Sequence, residues 1–184
     1  MPSLDDALLE IPQDKETMFR GALIDVEHMR VRLPNGKTAL REIVRHKGAS
    51  AIVPVDADGM VTLVRQHRVV VDALTLEIPA GKLDSADEDP LVCAHRELEE
   101  ETGLNAEHME LLTSMLPSPG YCTEFVCVYL ATGLSQHRAH LDADEFLNVV
   151  RMPLQEAVDR VMSGELNDSK TALGLLMAWR RLNG

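Results

Sequence analysis

The chain has 184 residues, enough for one well-packed domain and few for two. Its 30 acidic side chains against 18 Lys and Arg give a formal net charge of −12, which excludes general binding to nucleic acid or an anionic membrane, because no basic face can dominate. A phosphate-bearing substrate is not excluded, since bound divalent cations invert the local field.

Residues 1–14 are polar and predict a frayed segment, or one packed only by a partner. Residues 17–45 read as extended strands broken at Pro34-Asn35-Gly36, a strong turn signal, and so as a β-hairpin or small antiparallel sheet ahead of the main fold. A second hairpin is expected from strand 51–55, turn 56–59 and strand 60–68. The apolar run at 74–80 reads as a strand closed by Gly81. Strand character returns at 109–115 and stops at Leu116-Pro117-Ser118-Pro119-Gly120; two further strands follow at 125–130 and 146–152. Helices are expected over 153–162 and, capped by Asp168, over 169–182. Strands, a helix, more strands and then helices make an α+β order, without regular βαβ alternation and without internal repeats.

The helix in the middle is marked at both ends. Asp89 suits the N-cap, Pro90 the first helical position and Gly103 the residue past the last turn. Leu91, Ala94, Leu98 and, past the cap, Leu104 give an apolar stripe for packing. Glu97, Glu100 and Glu101 stand at i, i+3 and i+4, so their carboxylates emerge on one side, where like charges destabilise a helix unless a cation lies among them. Two readings stand on the carboxylates alone: a solvated acidic face, or a site for Mg²⁺ or Mn²⁺, hard ions that take oxygen ligands and share them with substrate phosphates. Cys93, Cys122 and Cys127 lack zinc spacing and read as buried, reduced thiols.

The run Arg96-Glu97-Leu98-Glu99-Glu100-Glu101-Thr102-Gly103-Leu104 resembles the core of the Nudix box, R-E-U-x-E-E-x-G-U with U aliphatic. One departure lies upstream. The family's first glutamate is six positions after the box glycine, where this chain has Asp87; Glu88 keeps the family's spacing to Arg96, so one residue is inserted in the loop 84–87 and Glu88 is the residue that braces the arginine. The resemblance implies a Nudix fold, a mixed β-sheet sandwiched between helices, with Glu97, Glu100 and Glu101 binding Mg²⁺ (Mn²⁺ as substitute), Glu101 bridging, and the carbonyl of Ala80 completing the coordination.

Three further stretches resemble the branch that hydrolyses ADP-ribose and other nucleoside diphosphate sugars. Glu77-Ile78-Pro79-Ala80-Gly81 matches the branch's E-x-P-A-G lead into the box, and Pro119 stands sixteen residues past Gly103. Arg65-Gln66-His67-Arg68 and Arg41-Glu42-Ile43 match arms that reach substrate. In relatives, the residue matching Arg68 contacts the phosphate or terminal ribose, and those matching Arg41 and Glu42 approach the purine. Ser118, Gly120 and Glu124 are expected to help hold substrate. Read without the family, the proline–glycine cluster is a rigid loop and Arg68 a surface arginine. The branch places its general base in a loop that corresponds here to 141–145; Glu145 is the first choice, with Asp142 and Asp144 as alternatives. GDP-mannose or a UDP-sugar is the rival substrate, and a nucleotide sensor that does not cleave is the rival class. The expected organisation is an N-terminal β segment, residues 1–45, that pairs subunits into a homodimer, followed by a catalytic domain at 46–184. Without an apolar signal core or a long apolar run, the expected compartment is the cytoplasm.

Overall fold

A computed structural model describes residues 6–137 and 146–184. The chain forms two compact units, one of residues 1–47 with 118–124 and the other of 48–117 with 125–184.

The first unit is a three-stranded antiparallel sheet in the order β1 (Ile11–Arg20), β2 (Asp25–Arg32), β3 (Thr38–Arg45). β2 and β3 are joined across the expected turn, where Gly36 donates to Leu33 O at 2.9 Å. β1 corrects the expectation of a frayed stretch at 11–14. It has no apolar alternation to announce it, being exposed along its whole length, and is instead held by its ladder with β2. Glu27, buried on β2, adds ion pairs to Lys15 and Arg45, each at 2.8 Å.

The second unit is built on a mixed four-stranded sheet, β7-β4-β9-β8. Its strands are β4 (Ala49–Pro54), β7 (Ala80–Lys82), β8 (Leu104–Met115) and β9 (Val126–Gln136). β4 runs parallel to β9, and the other pairs are antiparallel. Alternate residues serve opposite faces, as the pleat requires. Ile52, Cys127, Tyr129 and Ala131 pack against Ala94 and Leu98 of α1 (Pro90–Thr102). Ala51, Val53, Val126 and Val128 pack with Leu175 and Ala178 of α3 (Ser169–Asn183) and with Ala157 and Val158 of α2 (Leu154–Met162). The sheet thus lies between helices. A three-stranded sheet, β10-β5-β6, completes the unit with β5 (Met60–Arg68), β6 (Ala73–Glu77) and β10 (Leu147–Pro153).

Two expectations are corrected here. The segments at 51–55 and 60–68 are not a hairpin: the turn between them is real, but β4 pairs with β7 and β9 while β5 pairs with β6 and β10, leaving only the bridge Val55–Val61. The run at 74–80 is likewise two strands in two sheets, broken at Ile78-Pro79, where proline cannot donate to a ladder.

Candidate active site

Helix α1 forms where its end signals place it. Asp89 accepts from Leu91 N–H at 2.9 Å, and Gly103 adopts φ 68°, ψ 17°, with its N–H on Glu99 O at 2.8 Å. Its buried face is Cys93, Ala94, Glu97, Leu98, Glu101 and Thr102, while Leu91 lies exposed, so the stripe is rotated from the expected one and Cys93 takes the place given to Leu91. The rotation turns two carboxylates inward: Glu97 is 6% exposed and Glu101 3%, with Glu100 half-buried.

Buried carboxylates need partners. Arg96 supplies the local cation, donating from Nη1 to Glu97 at 2.6 Å and to Glu100 at 3.1 Å, and from Nη2 to Lys82 O at 3.3 Å and Glu88 at 3.4 Å. Burial opposes the guanidinium's charge, but Glu97 outweighs it and holds Arg96 protonated. Glu88, not the exposed Asp87, reaches the arginine, and its other oxygen takes Asp84 N–H at 2.6 Å. Glu101 accepts from Ala80 N–H at 3.1 Å, and the carboxylate of Glu97 fills the space where a side chain on Gly81 would stand.

Among the described residues no three His, Cys, Asp or Glu side chains form a ready-made metal cage. The fit to a divalent cation lies in the donor chemistry. Three carboxylates share one face with one arginine, they offer only hard oxygen donors, and two are withdrawn from water. Glu97, Glu100 and Glu101 are the groups that would hold such an ion.

The structure brings Ala80, Glu97, Glu100 and Glu101 together around β7 and α1. Arg68 belongs to the same unit, but its guanidinium grips Glu77 in a two-point fork at 2.8 and 2.7 Å. Arg41, Glu42, Ser118, Gly120 and Glu124 belong to the first unit. There Arg41 forks onto Glu10, Glu42 stands 3.5 Å from His28, and Glu124 lies 3.7 Å from His46. Ser118 O accepts from Cys122 N–H at 2.9 Å, forming the turn around Gly120. Asp142, Asp144 and Glu145 lie outside the described residues.

Sequence reasoning missed what surrounds Glu77. Besides Arg68, this buried carboxylate takes Thr75 Oγ1 at 2.6 Å and the ammonium of Lys170, which also pairs with Asp168 at 3.0 Å. Burial alone would raise the Glu77 carboxyl; Arg68, Lys170 and Thr75 outweigh it and hold the group at about 2. Nothing local announces a partner 93 positions away.

The profile of the NUDIX domain matches residues 44–172. An ADP-ribose pyrophosphatase of Bacillus subtilis is 43% identical over 163 residues, 88% of each chain. A methanol dehydrogenase activator of Bacillus methanolicus is 42% identical over 162 residues, 87% of each chain. A crystal structure described as an ADP compounds hydrolase superposes with a TM-score of 0.83 at 26% identity, covering 96% of both chains. The fold is therefore shared over most of the chain, the box stands on the helix that carries the buried carboxylates, and the chain belongs to the NUDIX domain family of hydrolases.

Proposed function

We propose that this Nudix hydrolase cleaves the diphosphate of a nucleoside diphosphate sugar, ADP-ribose first among them, giving AMP and ribose 5-phosphate with the uptake of one water. The observation that carries the reading is the pair Glu97 and Glu101, both buried on one face of α1, with Glu101 bonded to Ala80 and Glu97 packed on Gly81 at the start of β7. The ADP-ribose pyrophosphatase of Bacillus subtilis, at 43% identity, supports the substrate class.

Like the family, the protein works with a divalent cation, and Mg²⁺ is the ion we assign, with Mn²⁺ as substitute. When bound, that ion supplies charge neutralisation of the diphosphate and acidifies water. The chain's own part begins with Glu97, Glu100 and Glu101, which hold the ion, with the Ala80 carbonyl as a further oxygen donor. Arg96 keeps two of these carboxylates in place through its Nη1, which donates to both. Glu145 takes the proton of the attacking water, with Asp142 and Asp144 in the same loop as the alternatives. Arg68 faces the phosphate or the terminal ribose. Arg41 and Glu42 approach the purine, and Ser118, Gly120 and Glu124 hold the substrate's remaining groups.

The N-terminal segment, residues 1–45, serves to pair two copies through its sheet of β1–β3, leaving 46–184 as the catalytic domain. Ile11, Met18, Phe19 and Leu40 stand exposed on it, apolar surface that a second copy would cover. Light scattering at micromolar concentration should return twice the 20.4 kDa chain mass, and the monomer mass would end this part of the reading. The three unpaired cysteines suit the cytoplasm.

The deciding experiment is product release from ADP-ribose, ADP-glucose, GDP-mannose, UDP-glucose, NADH and diadenosine polyphosphates, with Mg²⁺ or with EDTA. Turnover that needs the metal and is greatest on ADP-ribose is expected. Preference for GDP-mannose or a UDP-sugar would keep the chemistry and move the substrate. Tight nucleotide binding with no turnover would make the protein a sensor.

A further inference from the structure

Between Glu77 and Gly81 the backbone leaves one sheet and enters the other, and each residue of that crossing has its own anchor. The Glu77 side chain is taken by Arg68, Thr75 and Lys170. Ile78 N–H donates to Thr171 Oγ1 at 3.0 Å, and Pro79 O accepts from Ile52 N–H at 2.8 Å. Ala80 N–H then reaches Glu101, and Gly81 makes room for Glu97.

Two of these anchors, Lys170 and Thr171, sit in the first turn of α3, which carries none of the carboxylates assigned to the ion. Thr171 is fully buried. Its hydroxyl accepts from Ile78 and donates to Asp168 Oδ2 at 2.6 Å; the same carboxylate caps Thr171 N–H at 3.0 Å and pairs with Lys170. The hydroxyl thus works as acceptor and donor at once, where a valine of the same shape could do neither. One turn further on, Gly174 brings α3 down onto Val53, Ile78 and Val128, where an added Cβ would meet their side chains at 3.0–3.2 Å.

We propose that the first turn of α3, through Thr171 and Lys170, is a positioning device for the carboxylates of α1. It sets where the Ala80 N–H and Gly81 meet Glu101 and Glu97, and through them it sets the affinity for the divalent cation. This rests on the reading that those carboxylates hold the ion. Groups that orient metal-holding side chains change affinity by about 10- to 100-fold when removed.

The test compares wild type with Thr171→Val, Thr171→Ser and Lys170→Gln by two readouts: Mn²⁺ affinity from the paramagnetic resonance signal of free Mn²⁺, and amide exchange at Ala80 in metal-free protein. Thr171→Val and Lys170→Gln should weaken Mn²⁺ binding about tenfold or more and speed exchange at Ala80, while Thr171→Ser restores both. Folded Thr171→Val or Lys170→Gln with wild-type affinity would overturn the proposal, as would a Thr171→Ser protein as impaired as Thr171→Val. Should Thr171→Val fail to fold, Lys170→Gln decides, because Arg68 still holds Glu77. If wild type binds no Mn²⁺, the metal reading falls and takes the affinity effect with it. Exchange at Ala80 then judges the clamp alone: faster exchange upholds it, and unchanged exchange ends it.

Discussion

A β-carbon placed on Gly81 would lie 2.1 Å from both Cδ and Oε1 of Glu97, so the helix carboxylate and the strand glycine occupy one shared space. The obstacle is the far end of a flexible side chain, and Gly81→Ala would push that carboxylate aside more readily than it would unfold the protein. Turnover should fall by about a hundredfold, the cost of misplacing a reacting group by an ångström, while the melting temperature moves by only a few degrees. Wild-type turnover in a folded Gly81→Ala protein would show that the position of Glu97 is unimportant.

Glu101→Gln keeps the volume of the side chain and an acceptor for Ala80 N–H but removes the charge. Turnover should drop by more than about a hundredfold with the circular dichroism spectrum unchanged. Near wild-type rates with the same metal dependence would remove Glu101 from the ion's ligands.

Glu145→Gln should slow catalysis by about 10²-fold or more while leaving Mn²⁺ binding intact, the size expected for losing a general base. If Asp142→Asn or Asp144→Asn has that effect instead, the base sits elsewhere in the same loop.

Glu77 gives the fold an acid sensitivity. Its carboxyl titrates at about 2 in the folded protein against an ordinary value of 4.5. A depressed folded value contributes stability that is complete above the unfolded value and is lost as pH falls from about 4.5 towards 2. The contribution is up to about 3 kcal/mol. Urea unfolding at pH 7 and pH 3 should therefore show a larger loss for wild type than for Glu77→Gln, which starts less stable. Parallel losses in the two proteins would mean that other groups carry the acid sensitivity.

Cys93 is buried, and burial with the nearby Glu97 charge pushes its thiol up to about 11. Only a very small fraction is thiolate at pH 8. Iodoacetamide at that pH should modify the partly exposed Cys122 well before Cys93, as read by mass spectrometry of peptides. Prompt labelling of Cys93 would show that α1 opens easily.

What could be read from the sequence was what is local. Asp89, Pro90 and Gly103 mark α1 within a turn of each end, and the spacing of Glu97, Glu100 and Glu101 puts them on one side of any helix. Strand partners are not local. The turn at 56–59 joins β4 to β5, yet hydrogen-bonding partners for β4 come from β7 and from β9, far along the chain. β1 escaped notice at its start because an exposed, polar strand has no period-two signal. The carboxylates' inward tilt was hidden too, since it depends on which side of α1 the sheet takes. The grip of Lys170 on Glu77 has no signature short of the folded chain.

The parallel pairing of β4 with β9, Ala49 beside Val126 and Pro54 beside Ala131, has a consequence for the order of assembly. A parallel neighbour cannot be reached by a tight turn, so a long loop must close before this contact gives anything back. α1 lies inside that loop and rests on residues from both strands, Ile52 on one side and Cys127, Tyr129 and Ala131 on the other. On the ribosome, α1 is therefore made after β4 and β7 but before β9, which completes the floor it packs against. A nascent chain ending before β9 has Ile52, Ala80 and Gly81 to offer α1, but Ala94 and Leu98 still lack Cys127, Tyr129 and Ala131.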